Sequence, residues 1–150
     1  DSVNQPVDSV NQPVDSVNQP VDSVNQPVDS VNQPVQALFD EATGDLAVGD
    51  LEAAVEKFRR CVGIDPEFFD GWHALGMALM KTGRFPEAIE AGLRSVRLRP
   101  NDQLAWSSLS LFYVRNNQVP EAEAAGAKAK ILSWGGKINP DAIPPANPNA

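Results

Sequence analysis

The sequence predicts an all-α fold, an array of helix-turn-helix hairpins, with an extended segment in front of it. Three observations lead there. Sliding the chain against itself by 34 residues sets Trp72 on Trp106, Leu75 on Leu109, Ala54 on Ala88 and Ala122, and Gly49 on Gly83 and Asn117. Each unit holds two apolar stripes at helical spacing, such as Trp72, Leu75, Leu79 and then Ala88, Ile89, Val96, separated by a Gly or Asn able to take positive φ. Before Gln36, the unit DSVNQPV is written five times without change.

Residues 1–35 form the first segment. Val3, Val7, Val10 and Val14 recur at spacings of four and three, imitating a coiled-coil seam. A proline stands in every copy (Pro6, Pro13, Pro20, Pro27, Pro34), at about 3 kcal/mol each inside a helix. A strand fares no better, since an odd-length unit turns identical side chains to opposite faces in successive copies. Extended polyproline-like chain is expected, about 3.1 Å per residue and on the order of 100 Å in all. Two valines per copy bury too little to order it alone, so a periodic partner or a modification is expected to do so. Ser2, Ser9, Ser16, Ser23 and Ser30 are the candidate O-glycan acceptors, whereas Asn-Gln-Pro is not an N-glycan acceptor. The chain opens on a repeat unit instead of Met, so further copies and any signal peptide are expected upstream, in an extracellular or cell-surface setting.

Residues 36–136 hold three hairpin units, 36–68, 69–102 and 103–136, followed by a Pro/Asn-rich tail over 137–150. The first helix, from about Gln36 to Val48, carries Asp40, Glu41, Gly44 and Asp45, so a polar, frayed end is expected. Asp50 suits the N-cap of the next helix. Pro86 and Pro120 fall in first turns, where no hydrogen bond is lost, and Pro66 and Pro100 stop the second helices. Gly76, Ala88, Ser95, Ala122 and Ala129 allow close approach, while Trp72, Trp106 and Phe58 fill the space between units. Gly92 and Gly126 fall inside helices at about 1 kcal/mol each. The last hairpin stops at Ile131, Leu132 and Trp134 with no polar helix beyond. That end is expected to be covered by the tail, with Ile138 and Ile143 across it, or by a neighbouring molecule stacked end to end.

The pattern of Trp72, Leu75, Gly76, Gly83, Arg84, Phe85, Pro86, Glu87, Ala88 and Pro100, and of Trp106, Leu109, Ser110, Tyr113, Ala122 and Ala129, resembles the tetratricopeptide repeat over about two thirds of the chain. The resemblance implies a right-handed superhelical array of three units, with an extended peptide held in a concave groove lined by the first helix of each. Carried over by position, the groove residues are Phe39 and Thr43, then His73, Met77 and Met80, then Ser107, Leu111 and Val114. Family members that grip a C-terminal carboxylate use Lys, Arg and Asn there. Only Lys81 and Arg115, at the groove edge, match here, which disfavours a clamp of that kind.

Composition excludes several classes. Of the net charge of −8, five Asp belong to the repeated heptapeptides, and the remaining 15 acidic and 12 basic residues leave −3. With no basic stripe, nucleic acid is not expected as a partner, and Arg94, Arg97 and Arg99 read as a solvated helix face. No apolar run approaches the roughly 20 residues of a membrane span. Cys61 stands alone on an apolar stripe, a small core residue rather than a disulfide or metal ligand. His73, the only histidine, lacks a nucleophile at catalytic spacing, and no metal, cofactor or enzymatic activity is expected.

The sequence therefore points to a non-enzymatic structural or assembly protein. Its hairpins would contact neighbouring copies of the chain, through heptapeptide strands or end-to-end stacking of Ile131, Leu132 and Trp134, in a filament or surface fibre with or without attached glycans. The alternative is a soluble adaptor whose groove binds an unrelated client peptide.

Overall fold

The computed structural model describes residues 27–144, residues 27–33 by their backbone alone. The chain divides into two compact units, Asp1–Ala37 and Leu38–Ala150. The described residues hold six α-helices and no strand: α1 Pro27–Ala47, α2 Leu51–Ile64, α3 Phe69–Lys81, α4 Phe85–Leu98, α5 Gln103–Arg115 and α6 Val119–Ser133, followed by a 3-10 turn at Pro140–Ala142.

The described part of the first unit is helical, which corrects the expectation of extended chain up to Val35. Helix α1 starts at Pro27 rather than near Gln36. A proline in the first turn forfeits no bond. Val35, Leu38 and Ala42, at spacings of three and four along the same helix, are buried. Extending a formed helix costs far less than nucleating one, so α1 carries Pro34 in its interior with one donor fewer. The rest of the expected extended array, with Ser2, Ser9, Ser16 and Ser23, lies outside the described residues, as does the tail beyond Pro144.

In the second unit the hairpins are built by repetition of the same local bonds. Gly49, Gly83 and Asn117 take φ of 88°, 81° and 61°. At each, two backbone bonds close the helix end: Gly83 N–H to Met80 O (3.0 Å) and Arg84 N–H to Leu79 O (2.9 Å), then Asn117 N–H to Val114 O (3.0 Å) and Gln118 N–H to Tyr113 O (2.9 Å). This αL cap satisfies carbonyls the helix leaves open. Asp50 accepts from Ala53 N–H at 3.4 Å and Asp102 from Ala105 N–H at 3.0 Å, capping α2 and α5. The chain then packs α3 on α4 and α5 on α6 within hairpins, and α2 on α3 and α4 on α5 between them.

The core runs through the array, with Phe58, Leu79, Leu109, Trp106 and Phe112 almost fully buried. The two helix-interior glycines of the middle hairpin find their reason here. A Cβ on Gly76 would stand 2.8 Å from the Phe112 ring, and one on Gly92 would stand 3.0 Å from Leu109 and 3.2 Å from Phe112. Their missing side chains form the notch that receives Phe112 from the next hairpin.

The C-terminal end differs from the expectation in two ways. Ile89, Leu93 and Val96 are buried on α4, but the residues 34 positions later on α6 are Glu123, Ala127 and Lys130, all exposed. Helix α6 thus carries its own polar outer face and acts as the cap that repeat arrays require. The tail does fold back, with Ile138 and Ile143 buried, but over a different place. Ile138 N–H donates to Asn101 Oδ1 at 2.9 Å and Arg97 donates to Pro144 O at 2.6 Å. These bonds hold the tail along α4 and the α4–α5 loop. Leu132 is half-buried, while Ile131 (40%) and Trp134 (76%) stay exposed.

Candidate peptide-binding groove

Helices α3 and α5, the first helices of consecutive hairpins, lie against each other. One stripe of each is turned away from its partner helix. On α5 this stripe exposes Leu104 (63%), Leu111 (37%) and Val114 (52%), with Ser107 exposed among them. On α3 the register-equivalent residues Met77 and Met80 are half-buried, packed on the core with one side still open. Leu104 is absent from the residues expected from sequence. Its spacing of seven from Leu111 and three from Ser107 places it on the same stripe, and that spacing was the available signal.

The other expected residues are differently committed. Phe39 is half-buried, its ring 5.5 Å from Phe58 and 5.2 Å edge-on from Phe68, so it packs within the first hairpin. Thr43 is exposed and donates its hydroxyl to Phe39 O at 2.9 Å. His73 is stacked on Phe69 at 6.0 Å, and its Nε2 lies 3.1 Å from Ser108 Oγ on α5. Burial lowers its pKa below the ordinary 6.5, against the pull of Asp102 and Asp70. The pair joins α3 to α5. Ser108 is buried in mid-helix, where backbone N–H groups are spent on the helix, so no oxyanion site accompanies it. Its role is a cross-hairpin bond. Lys81 and Arg115, in the last turns of α3 and α5, are exposed.

Electrostatics elsewhere are structural. Lys57 bonds Asp45 at 2.7 Å and lies 3.7 Å from Glu41, which raises its pKa chiefly through the Asp45 bond. Burial pushes the Cys61 thiol up. The arginines expected on a solvated face have specific neighbours: Arg94 lies over Trp72 (5.1 Å), Arg99 over Phe69 (4.2 Å), and Arg97 holds the tail. Among the described residues no cluster of His, Cys, Asp and Glu could hold a metal ion, and no helix is long and apolar enough to cross a membrane.

A family model for the tetratricopeptide repeat matches residues 39–103 and again 73–137. The chain belongs to the tetratricopeptide repeat family. No curated protein sequence matches it. Among solved structures, this tetratricopeptide array is similar to MamA (21% identity, TM-score 0.65, covering 67% of this chain and 59% of that one). It is also similar to a chain of a CopN–Scc3 complex (21%, 0.66, 71% and 64%). A third is the second tetratricopeptide domain of Spaghetti bound to the HSP90 peptide SRMEEVD (18%, 0.66, 71% and 98%). The chain thus spans about three fifths of the first two, and the likeness establishes a shared fold. As a tetratricopeptide array, it presents a surface for protein–protein contact.

Proposed function

We propose that this chain is a non-enzymatic binding module whose concave groove takes an extended, largely apolar segment of another protein. The observation that carries the reading is the exposed stripe Leu104, Leu111 and Val114 on α5, beside Met77 and Met80 on α3. Apolar residues repeated along one open face are what an extended peptide with alternating apolar side chains would cover. The Spaghetti domain offers a contrast, because its peptide ends in Glu-Glu-Val-Asp, while this groove has only Lys81 and Arg115 at its rim. Selection from a random peptide library on the folded protein tests the reading. Enriched sequences should carry apolar residues at alternating positions; enrichment of acidic C-terminal sequences would contradict it.

A second reading, assembly with other copies of the chain in a filament built with the heptapeptide strands, with or without glycans on their serines, draws support from exposed Trp134 and Ile131. The exposed charges of Glu123 and Lys130 on α6 weigh against broad end-to-end stacking, which ranks this reading second. Sedimentation velocity over a hundredfold concentration range separates the two, since a constant monomer is incompatible with assembly.

A further inference from the structure

The middle and last hairpins carry the same cleft on the side of their first helix turned away from Met77 and Val114. Trp72, Leu75, Glu87, Ala91 and Arg94 line the one. Trp106, Leu109, Glu121, Ala125 and Lys128, each 34 residues later, line the other. In both a cation lies over the indole, Arg94 at 5.1 Å from Trp72 and Lys128 at 5.3 Å from Trp106.

The two differ in what fills them. In the last hairpin Pro144 of the tail forms part of the wall, and a cavity of about 60 Å³ remains. The Pro144 carbonyl accepts from the Arg97 guanidinium, and Ile143 before it is buried. In the middle hairpin the cavity is about 220 Å³ and no proline lines it among the described residues; the further wall is Arg59, ion-paired to Glu87 at 2.8 Å. Arg94, which lines this open cleft, has a buried Nε without a hydrogen-bond partner.

We infer that the middle-hairpin cleft is a docking site for a proline-bearing extended segment of a partner protein, of the kind the tail supplies to its twin. A proline ring seats on an indole face at little entropic cost, because its φ is already fixed. The carbonyl beside it is an acceptor for the Arg94 guanidinium, whose Nε has no hydrogen-bond partner. The rim of Arg59, Glu87, Glu90 and Arg94 is balanced in charge, so it selects polar, uncharged flanking residues over a strongly acidic or basic segment.

The probe is a synthetic peptide of residues 140–148, Pro-Asp-Ala-Ile-Pro-Pro-Ala-Asn-Pro, added to the ¹⁵N-labelled full chain while the tryptophan indole N–H resonances are followed. The Trp72 resonance should shift saturably, and a peptide with every proline replaced by alanine should leave it in place. Arg94→Gln should weaken the Trp72 response by about tenfold, while an unmoved Trp106 resonance shows that the fold is kept. A shift confined to Trp106, meaning the peptide only displaces the chain's own tail, overturns the proposal, as does no shift at all.

Discussion

The indole N–H of Trp106 donates to the Pro100 carbonyl at 2.7 Å, and 34 residues earlier Trp72 makes the same bond to Pro66 at the same distance. The proline that ends one hairpin is thereby tied to the aromatic that begins the next. Trp106 is 1% exposed, and its loss leaves the part-buried Pro100 carbonyl without this donor. Trp106→Phe should cost about 2 kcal/mol in chemical denaturation, the sum of a hydrogen bond and lost packing. Trp72→Phe should cost less, because Trp72 is partly exposed.

The Phe112 notch gives a second expectation. Gly76→Ala improves helix propensity by roughly 1 kcal/mol, but its methyl would stand 2.8 Å from the Phe112 ring, which is itself buried. Overpacking wins at about 1–3 kcal/mol, so the variant should be net destabilised. Adding Phe112→Leu should recover part of that loss, a coupling that a double-mutant cycle reads directly.

Asn117 takes the place that Gly49 and Gly83 hold in the other turns. Asn117→Gly should be neutral or slightly stabilising, whereas Asn117→Ala should lose about 1 kcal/mol through its positive φ. Thermal unfolding of the pair checks the order.

His73 supplies the pH dependence. Its folded-state pKa is lowered by burial, so on acidification the unfolded chain takes up the proton first. Stability from this group is full above about pH 7, falls as the pH drops through 6.5 toward the folded-state value, and levels off below it. His73→Gln should flatten the curve between pH 7 and pH 5.5 relative to the parent.

The hairpins were legible in the sequence because the period, the turn residues and the prolines are local signals. Gly92 was not, since its partner Phe112 lies on the next hairpin and only packing shows that one fills the space the other leaves. The self-capping of α6 is legible in the sequence, since Glu123 and Lys130 stand 34 residues after Ile89 and Val96. The start of α1 is not legible, because the cost of a proline in an isolated helix does not include the lower cost of extending a helix already formed, and α1 runs on upstream to Pro27. Of the proposed groove, spacing alone sets Met77 and Met80 in register with Leu111 and Val114, but it does not show that the Phe39 ring packs on Phe68 or that His73 lies 3.1 Å from Ser108.

Peptide binding in the groove is tested most directly by fluorescence anisotropy of an apolar library-selected peptide with the parent protein and with Leu111→Lys. Leu111 is partly exposed and its substitution leaves the core intact, so both proteins should unfold at similar temperatures. Binding to Leu111→Lys should be at least tenfold weaker, and unchanged affinity would rule out the α5 stripe as the peptide site.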